Sequence, residues 1–267
     1  MAEVFYAVPQ QVMAVFIFIF GVLWGSFSNV VIYRCPKGES IVHPRSACPK
    51  CNTQLKWYDN IPLLSWLFLL GKCRYCSVSI SIRYFIVEFL TGLLFMGVFL
   101  KVGVSWTLIE YLIFSWALVV ASFIDLDHMI LPDKITLTGI VLGLAGGALN
   151  PERSFVPSIL GVLVGGGFLW AIAYIYYVIR KEDGMGGGDI KLLAWIGAVL
   201  GWSAIPFVIL VSSLLGTLVG VSLLIKSKEG LKTVIPFGPY LAMAAVIYIF
   251  WGQELAHWYL NIFISGV

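Results

Sequence analysis

The sequence predicts an all-α integral membrane protein of about eight transmembrane helices, with a small cysteine-rich cytoplasmic domain between helices 1 and 2. The first observation is composition: of 267 residues, 60% are apolar and only 12% are charged. A soluble globular domain has about 25% charged residues. The second observation is a mean hydropathy of +0.94. Together they exclude a soluble enzyme, a disordered chain and a nucleic-acid-binding protein.

The candidate spans are eight apolar runs separated by charged residues or turn signals. They cover residues 11–33, 84–100, 107–124, 135–149, 156–179, 190–200, 204–225 and 234–250. A spanning helix needs about 20 residues, which most of these runs approach. The first run is too long for the core of a signal peptide and lacks a basic start, so it is interpreted as a retained helix.

The distribution of basic residues predicts the orientation. If the N-terminus lies outside the cytoplasm, the cytoplasmic loops hold 15 of the 17 Lys and Arg residues. Such an excess is typical of cytoplasmic loops in membrane proteins. These loops are 34–83, 125–134, 180–191 and 226–233; the other side holds Lys101 and Arg153.

This topology predicts three parts: a first transmembrane helix at 1–33 with its N-terminus outside, a cytoplasmic tetracysteine domain at 34–83, and a membrane bundle at 84–267. In the tetracysteine domain, two C-x-x-C pairs can offer four thiolates from two tight turns, the usual arrangement of a structural zinc site. Redox-active pairs or unrelated thiols are the alternatives, and a reducing cytoplasm favours the metal. The predicted Zn²⁺ ligands are Cys48, Cys51, Cys73 and Cys76. Cys35 is left over as a free thiol.

Acidic residues next to the spans are the candidates for chemistry. Asp125 directly follows an apolar run and is expected at the cytoplasmic end of the third span. A charged Asp at the centre of a bilayer costs about 2.5–3.5 kcal/mol or more, so such residues commonly face a wet cavity and have a function. Further along, Pro132 stops the helix and Asp133 is placed to cap the next one.

A second candidate, Asp189, follows a loop with four glycines at residues 184–188 and opens the sixth span. A flexible turn with an N-capping Asp explains the same residues. A phosphate-binding loop does not, because the G-K-[ST] ending is absent.

Asp125 and Asp189 both fall at cytoplasmic helix ends and are expected to lie at one depth. Two carboxylates that share a site do not ionise together easily, so one keeps a proton at neutral pH. One can then act as a base toward water and the other as an acid toward a peptide carbonyl. Aspartic-protease chemistry is one interpretation; a proton relay and plain capping are the others.

In this order along the chain, the motifs resemble those of the type IV prepilin peptidases, bifunctional leader peptidases and N-methyltransferases of bacterial pilus and type II secretion systems. The similarity covers nearly the whole chain. The segments that carry it, besides the cysteine pairs, are Gly25-Ser26-Phe27-Ser28-Asn29-Val30, His43-Pro44-Arg45-Ser46, Asp59-Asn60-Ile61-Pro62, Asp125 to Asp133, and Gly186-Gly187-Gly188-Asp189.

The resemblance implies that Asp125 and Asp189 are the catalytic aspartates of a membrane endopeptidase. The implied substrates are prepilins or pseudopilins, cleaved after a glycine on the cytoplasmic side of the bacterial inner membrane. The new N-terminal residue is then expected to be methylated from S-adenosylmethionine. The implied partners are these substrates and membrane lipid, with no nucleic acid.

The methyltransferase activity rests on the resemblance alone, since the chain has no βαβ unit and no G-x-G-x-x-G fingerprint. Arg83 and Glu88 match the family in the tetracysteine region and are candidates for binding the methyl donor. An intramembrane or interfacial ion pair is the alternative for these two residues. Phe85 stands where the family has proline, which is a departure from the pattern.

Two other functions are compatible with the residues. A general intramembrane protease of the presenilin type shares the G-x-G-D loop and cuts within apolar segments of diverse substrates. A non-enzymatic carrier or assembly protein would use the aspartates as a proton relay or as caps. Transport folds usually show related halves, and no such repeat is visible here.

Overall fold

The computed structural model describes residues 9–182, 185–226 and 235–264. Within these ranges the chain is helical, with two isolated β-bridges and no strand. The predicted fold class, an all-α membrane protein, is confirmed.

The chain divides into two compact units, Met1–Val120 and Ala121–Val267. The helices of the first unit begin with the long α1 and include the short α2, which lies between the two cysteine pairs. The unit boundary falls within α4. The bounds are Gln10–Arg34 for α1, Leu64–Phe68 for α2, Ile82–Val102 for α3 and Trp106–His128 for α4. Two 3₁₀ turns, Cys35–Lys37 and Trp57–Asn60, lie between α1 and α2.

The second unit holds the remaining helices, of which α7 is the shortest. Their bounds are Asp133–Leu149 for α5, Phe155–Arg180 for α6, Gly187–Leu200 for α7, Ala204–Lys226 for α8 and Gly238–Ile264 for α9.

All eight predicted apolar runs coincide with helices. Five helical segments in the described ranges are long and apolar enough to cross a membrane: Gln10–Lys37, Ile82–Val102, Trp106–His128, Phe155–Arg180 and Ala204–Ser222. Helix α5 has 17 residues and α7 has 14. In α9, the part whose side chains the structure describes, Gly238–Gly252, is apolar but also shorter than these five segments. The number of eight spans therefore stays a prediction.

Local signals set several helix ends. The Ser81 hydroxyl accepts the backbone N–H of Arg83 and so caps α3, a role in which serine is favoured. Helix α3 ends at Gly103 and α7 at Gly201, both with positive φ, the usual glycine stop.

Small residues allow α1 and α3 to pack closely. Gly21 and Gly25 are four apart on α1, and Gly92 lies opposite on α3. A Cβ at Gly25 would lie 2.6 Å from the Cα of Glu88, and one at Gly92 would lie 2.6 Å from a methyl of Val22. Such small residues four apart are typical of membrane helix interfaces.

In the second unit, α7 is packed between α5 and α6. Gly161 of α6 and Gly197 of α7 face each other so closely that a Cβ on either would overlap the backbone of the other. Trp195 of α7 lies against Gly139 of α5. The central position of α7 leaves eight consecutive residues buried, from Leu192 to Val199. The same packing holds α7 in place, and the first turn of α7 carries Asp189.

Candidate active site

Asp125 lies in the last turn of α4 and is buried, with 5% of its surface exposed. The apolar residues before it are also buried; Ile124 is fully so. A buried carboxylate needs hydrogen-bond donors to replace the water it has lost.

Gly238, the first residue of α9, supplies that donor. Its backbone N–H donates to Oδ2 of Asp125 at 3.0 Å, and both residues are buried. A Cβ at this position would lie 2.6 Å from the same oxygen, so no other residue fits here without a shift. The hydrogen bond and the missing side chain together hold the Asp125 carboxylate in one place.

Asp189 is half-buried in the first turn of α7. It does not cap the helix, because the N-cap residue is Gly186 and no side chain caps that end. The capping alternative for Asp189 was therefore wrong. The residue before it, Gly188, lies against Leu131, where a Cβ would come within 2.8 Å of the leucine Cβ. A Cβ at Gly238 would also lie 3.3 Å from a methyl of Leu131, so the segments that carry Asp189, Leu131 and Gly238 meet at one place.

The structure thus brings together the two aspartates that the sequence singles out. Their carboxylates are close enough for the charge of Asp125 to act on Asp189. Two carboxylates in such a site share a proton more readily than both ionise. The arrangement can therefore supply one proton acceptor and one proton donor to a bound amide.

Asp133 has a different role from the expected helix cap, and that prediction was wrong. The N-cap of α5 is Pro132, so Asp133 falls one residue too late, inside the first turn. Its carboxylate instead forms an ion pair with Lys191 of α7. Both side chains are exposed, so the pair contributes little to stability. It links the segment after Asp125 to the helix that carries Asp189.

The two cysteine pairs form matching turns in the first unit. In the first turn, the Cys48 N–H donates to the Thr53 carbonyl, and the Cys48 carbonyl accepts the Asn52 N–H. In the second turn, the Cys73 N–H donates to the Val78 carbonyl, and the Cys73 carbonyl accepts the Ser77 N–H. Asn52 and Ser77 both have positive φ, at equivalent positions. The repeated geometry points the thiols of both turns toward one point.

The four thiols converge, as the sequence predicts. The sulfurs of Cys48, Cys51, Cys73 and Cys76 all lie within 4.8 Å of one another. The Sγ atoms of Cys48 and Cys76 are 3.8 Å apart. A tetrahedral zinc site with Zn–S distances of about 2.3 Å has sulfurs about 3.8 Å apart. The donor set therefore fits a metal ion. Hydrogen bonds from Thr53 lower the pKa of Cys51 to about 6, whereas burial and hydrogen bonds to the other three cysteines raise the pKa of Cys76 to about 11, so Cys51 is the first of these two thiols to ionise.

Asp59 lies between the two cysteine turns in the sequence and anchors its segment to the second of them. Its Oδ1 accepts Arg74 Nε at 2.6 Å, and its Oδ2 accepts the Tyr75 hydroxyl at 3.2 Å. The carboxylate is buried, which opposes ionisation, but the hydrogen bond and charge of Arg74 outweigh burial and lower the pKa of Asp59. Arg74 and Tyr75 lie between Cys73 and Cys76 in the sequence. Asp59 therefore orients the second cysteine turn without being a metal ligand itself.

Glu88 and Arg83 lie on α3, in the first unit. The buried Glu88 carboxylate accepts the backbone N–H of Leu63 at 2.7 Å. Leu63 has a positive φ of 59°, which is uncommon for any residue other than glycine. Glu88 therefore holds the segment that follows Asn60.

Cys35 lies outside the four-thiol cluster, at the 3₁₀ turn after α1.

Sequence reasoning missed Gly238. A signal was present: Pro236, Gly238 and Pro239 stand together just where the last apolar run begins. The run was predicted to start at residue 234, whereas α9 starts at Gly238. A proline in the first turn of a helix costs no hydrogen bond, so the helix starts here and presents the Gly238 N–H to Asp125.

The chain matches two family descriptions. Residues 19–102 match the bacterial peptidase A24 N-terminal domain, which contains the cysteine pairs and Glu88. Residues 112–221 match the type IV leader peptidase family, and this range contains Asp125 and Asp189.

Relatives of known name align over almost the full length. A prepilin leader peptidase/N-methyltransferase of Aeromonas hydrophila is 39% identical and covers 93% of this chain and 94% of its own. Proteins of the same name are 37% identical in Pseudomonas aeruginosa, with 90% and 91% covered, and 40% identical in Xanthomonas campestris, with 90% and 92% covered. No solved structure matches the chain. With both domains matched and relatives aligned end to end, the chain belongs to the type IV leader peptidase family.

Proposed function

We propose that this protein removes the leader of type IV prepilins and pseudopilins and methylates the new N-terminus. The observation that carries the proposal is the convergence of two carboxylates, Asp125 and Asp189, with Asp125 buried and oriented by Gly238. Relatives named prepilin leader peptidase/N-methyltransferase support the choice of substrate and the second activity.

In the proposed mechanism the two aspartates have different protonation states. The N–H of Gly238 favours the ionised form of Asp125, because a hydrogen bond to a carboxylate stabilises its charge. That charge keeps the proton on Asp189. Asp125 then accepts a proton from water as the water oxygen attacks the scissile carbonyl carbon, while Asp189 donates its proton to the carbonyl oxygen. When the tetrahedral intermediate collapses, its C–N bond breaks, Asp125 passes its proton to the leaving amine, and one hydroxyl proton of the intermediate returns to Asp189.

The proposed location is the bacterial inner membrane, with this site on the cytoplasmic side. The support is the placement of 15 of 17 Lys and Arg residues in the loops on that side. A prepilin leader is expected to be basic and therefore to stay in the cytoplasm. The substrates would come from type IV pilus or type II secretion systems.

For the tetracysteine domain (residues 34–83) we propose a structural Zn²⁺. All four positions of a tetrahedral ion would be filled by thiolates, leaving none open for catalysis. The methyl donor is proposed to be S-adenosylmethionine, which supplies an electrophilic methyl group to the exposed amine. Arg83 and Glu88 are proposed to serve the methyl-donor region. Glu88 would do so by holding Leu63, and with it the segment after Asn60.

The test is mass spectrometry of the N-terminus of a prepilin after incubation with purified protein. Wild type should cleave after the leader glycine and add one methyl group only when S-adenosylmethionine is present. Asp125→Asn and Asp189→Asn should each abolish cleavage. Asp127→Asn, the same change at an exposed aspartate two residues away, is the matched control and should still cleave.

Three outcomes would contradict parts of the proposal. Robust cleavage by either aspartate variant would exclude the paired mechanism. A cut within the apolar segment would favour a general intramembrane protease. Absence of cleavage with several prepilins would favour a non-enzymatic carrier.

A further inference from the structure

The tetracysteine domain and the end of α1 enclose a cavity of about 370 Å³. Its wall comes from the last turns of α1, from the loop 41–46 and from the segment 55–60, all within the first unit. The apolar segment Gln10–Lys37 is long enough to cross a membrane, so the cavity lies at the end of a candidate span. A ligand of this cavity is therefore expected at the height of the lipid headgroups.

The lining of this cavity is cationic. Among the described residues that form it, Arg34, Arg45 and Lys56 are basic and none is acidic. Asp59 is next to the wall in the sequence but is not part of the lining, and its carboxylate is held by the second cysteine turn. Arg45 and Lys56 are exposed, so a ligand can reach both charges. Three cations without an acidic residue in the wall favour an anion and disfavour any ligand of net positive charge.

Arg34 gives the cavity its shape. From the last turn of α1, its Nη1 donates to the Ser40 carbonyl at 2.9 Å and its Nη2 to the Pro44 carbonyl at 2.8 Å. These bonds fasten the loop over the end of α1, which reduces the ordering that a ligand must impose. Because carbonyl oxygens are neutral acceptors, the guanidinium keeps its positive charge and adds it to the other two.

Exposed apolar side chains surround these charges. At the cavity, Trp57 is 80% exposed and Val42 is 70% exposed, and Ile41 is exposed as well. Tryptophan is enriched where membrane proteins meet the headgroup layer, because its ring is apolar and its N–H is polar. Segments that lie in the membrane interface combine such apolar side chains with basic residues. The lining therefore fits an amphiphilic anion better than a soluble one.

One face of α1 continues from the cavity along the candidate span. Val30 lines the cavity one turn before Arg34, and Phe27 and Leu23 follow at helical spacing on the same face. Phe27 and Leu23 are both exposed. An acyl chain attached to an anionic group in the cavity can lie along this face, whereas free phosphate has no group that would use it.

We propose that this cavity binds the phosphodiester headgroup of an anionic glycerophospholipid. Arg45 and Lys56 bind its phosphate oxygens through charge-assisted hydrogen bonds. Ser46 and Asn60 line the same cavity and supply hydrogen-bonding groups for the headgroup hydroxyls. Basic pockets beside membrane spans recognise anionic headgroups in this way. The site depends on neither the peptidase nor the methyltransferase activity of the proposed function.

The experiment is native mass spectrometry of the full-length protein in a neutral detergent, titrated with dioleoylphosphatidylglycerol or dioleoylphosphatidylcholine. Wild type should bind its first phosphatidylglycerol more tightly than phosphatidylcholine. Arg45→Gln/Lys56→Gln should weaken that phosphatidylglycerol about 25-fold, because each basic residue near an anionic lipid surface contributes about fivefold to binding. Binding of phosphatidylcholine should not change.

The matched control is Lys50→Gln/Lys72→Gln. It removes the same charge from two exposed positions of the tetracysteine domain that lie outside the cavity, and it should leave both affinities unchanged. Glycerophosphoglycerol, which is the same headgroup without acyl chains, and inorganic phosphate should bind wild type far more weakly than the lipid. Thermal unfolding in detergent, measured on each variant, reports intact folding.

Four results would overturn this inference. Equal affinity of wild type for the two lipids would show that the site does not select an anion. Equal weakening by the cavity pair and the control pair would show a general effect of surface charge. Wild-type affinity in Arg45→Gln/Lys56→Gln would place the lipid elsewhere. Displacement of the lipid by equimolar glycerophosphoglycerol or phosphate would show a site for a soluble anion. Since the readout is lipid binding, a failure to cleave prepilin would leave the result unaffected.

Discussion

Gly238→Ala should impair peptide cleavage without unfolding the protein. The added methyl would lie 2.6 Å from Oδ2 of Asp125 and 3.3 Å from a methyl of Leu131. Cβ atoms essentially never come closer than 3.0 Å to another heavy atom. The carboxylate or the start of α9 must therefore move by at least 0.4 Å, the difference between 3.0 and 2.6 Å. The same movement lengthens the hydrogen bond that orients Asp125.

The size of the effect follows from the sensitivity of catalysis to position. Misplacement of a reacting group by about 1 Å can cost about 100-fold in rate. A shift of roughly half that distance, with a weakened hydrogen bond, should lower kcat by about 10–100-fold, or about 1.4–2.7 kcal/mol in activation free energy. KM for the prepilin should change less, because Gly238 acts on the carboxylate.

The assay is single-turnover cleavage of a prepilin with enzyme in excess, followed by mass spectrometry. Gly187→Ala is the matched control: it lies beside the same site, and a Cβ there meets nothing within 4 Å. Thermal unfolding in detergent should be similar for both variants. Full activity of Gly238→Ala, or a loss that tracks unfolding alone, would refute the idea that Gly238 positions Asp125.

Three further perturbations test other contacts. Gly188→Ala should lower the rate of cleavage about tenfold. The added Cβ would lie 2.8 Å from the Cβ of Leu131 and would push the first turn of α7 away. An unchanged kcat would contradict this contact. Asp59→Asn should weaken metal retention about tenfold in a chelator competition, because the Asp59 carboxylate orients the second cysteine turn without being a metal ligand. Equal retention by this variant and wild type would show that the carboxylate does not affect the metal site. Gly161→Ala should destabilise the bundle by about 1–3 kcal/mol in detergent unfolding, because it overpacks the contact between α6 and α7. Gly167→Ala, with open space around it, serves as the control for that helix and should be neutral.

Local features of the sequence predicted most of the fold. An apolar run marks its own helix, so the eight runs could be found without knowledge of their neighbours, and every run coincides with a helix. The cysteine turns were predictable for the same reason, since each C-x-x-C pair forms its own hydrogen bonds. Only the convergence of the two turns needed the three-dimensional structure, and it is confirmed.

The parts that escaped prediction depend on contacts between distant segments. Gly238 lies 113 residues after Asp125, and nothing in either segment indicates that a backbone N–H would meet that carboxylate. Asp133 looked like a cap because it follows Pro132, but the helix begins one residue earlier than that role requires. Its partner, Lys191, lies on another helix and was not foreseeable from local pattern.

The packing of α1 against α3 explains how a polar domain can be inserted into a membrane bundle. Contacts run antiparallel along the pair: Gly21 faces Gly92, Gly25 faces Glu88, and the Asn29 amide donates to the Tyr84 carbonyl. The chain therefore leaves α1 and enters α3 at the same end of a closely packed hairpin.

That hairpin fixes both ends of the tetracysteine domain whatever its metal state. Loss of metal should then loosen the cysteine turns while the helices stay paired, because the glycine contacts need no cysteine. Chelation should accordingly release the metal while α1 and α3 remain packed. A disulfide engineered between the two helices, formed equally with and without chelator, would verify this separation. A drop in crosslinking after chelation would show instead that the metal also holds the hairpin.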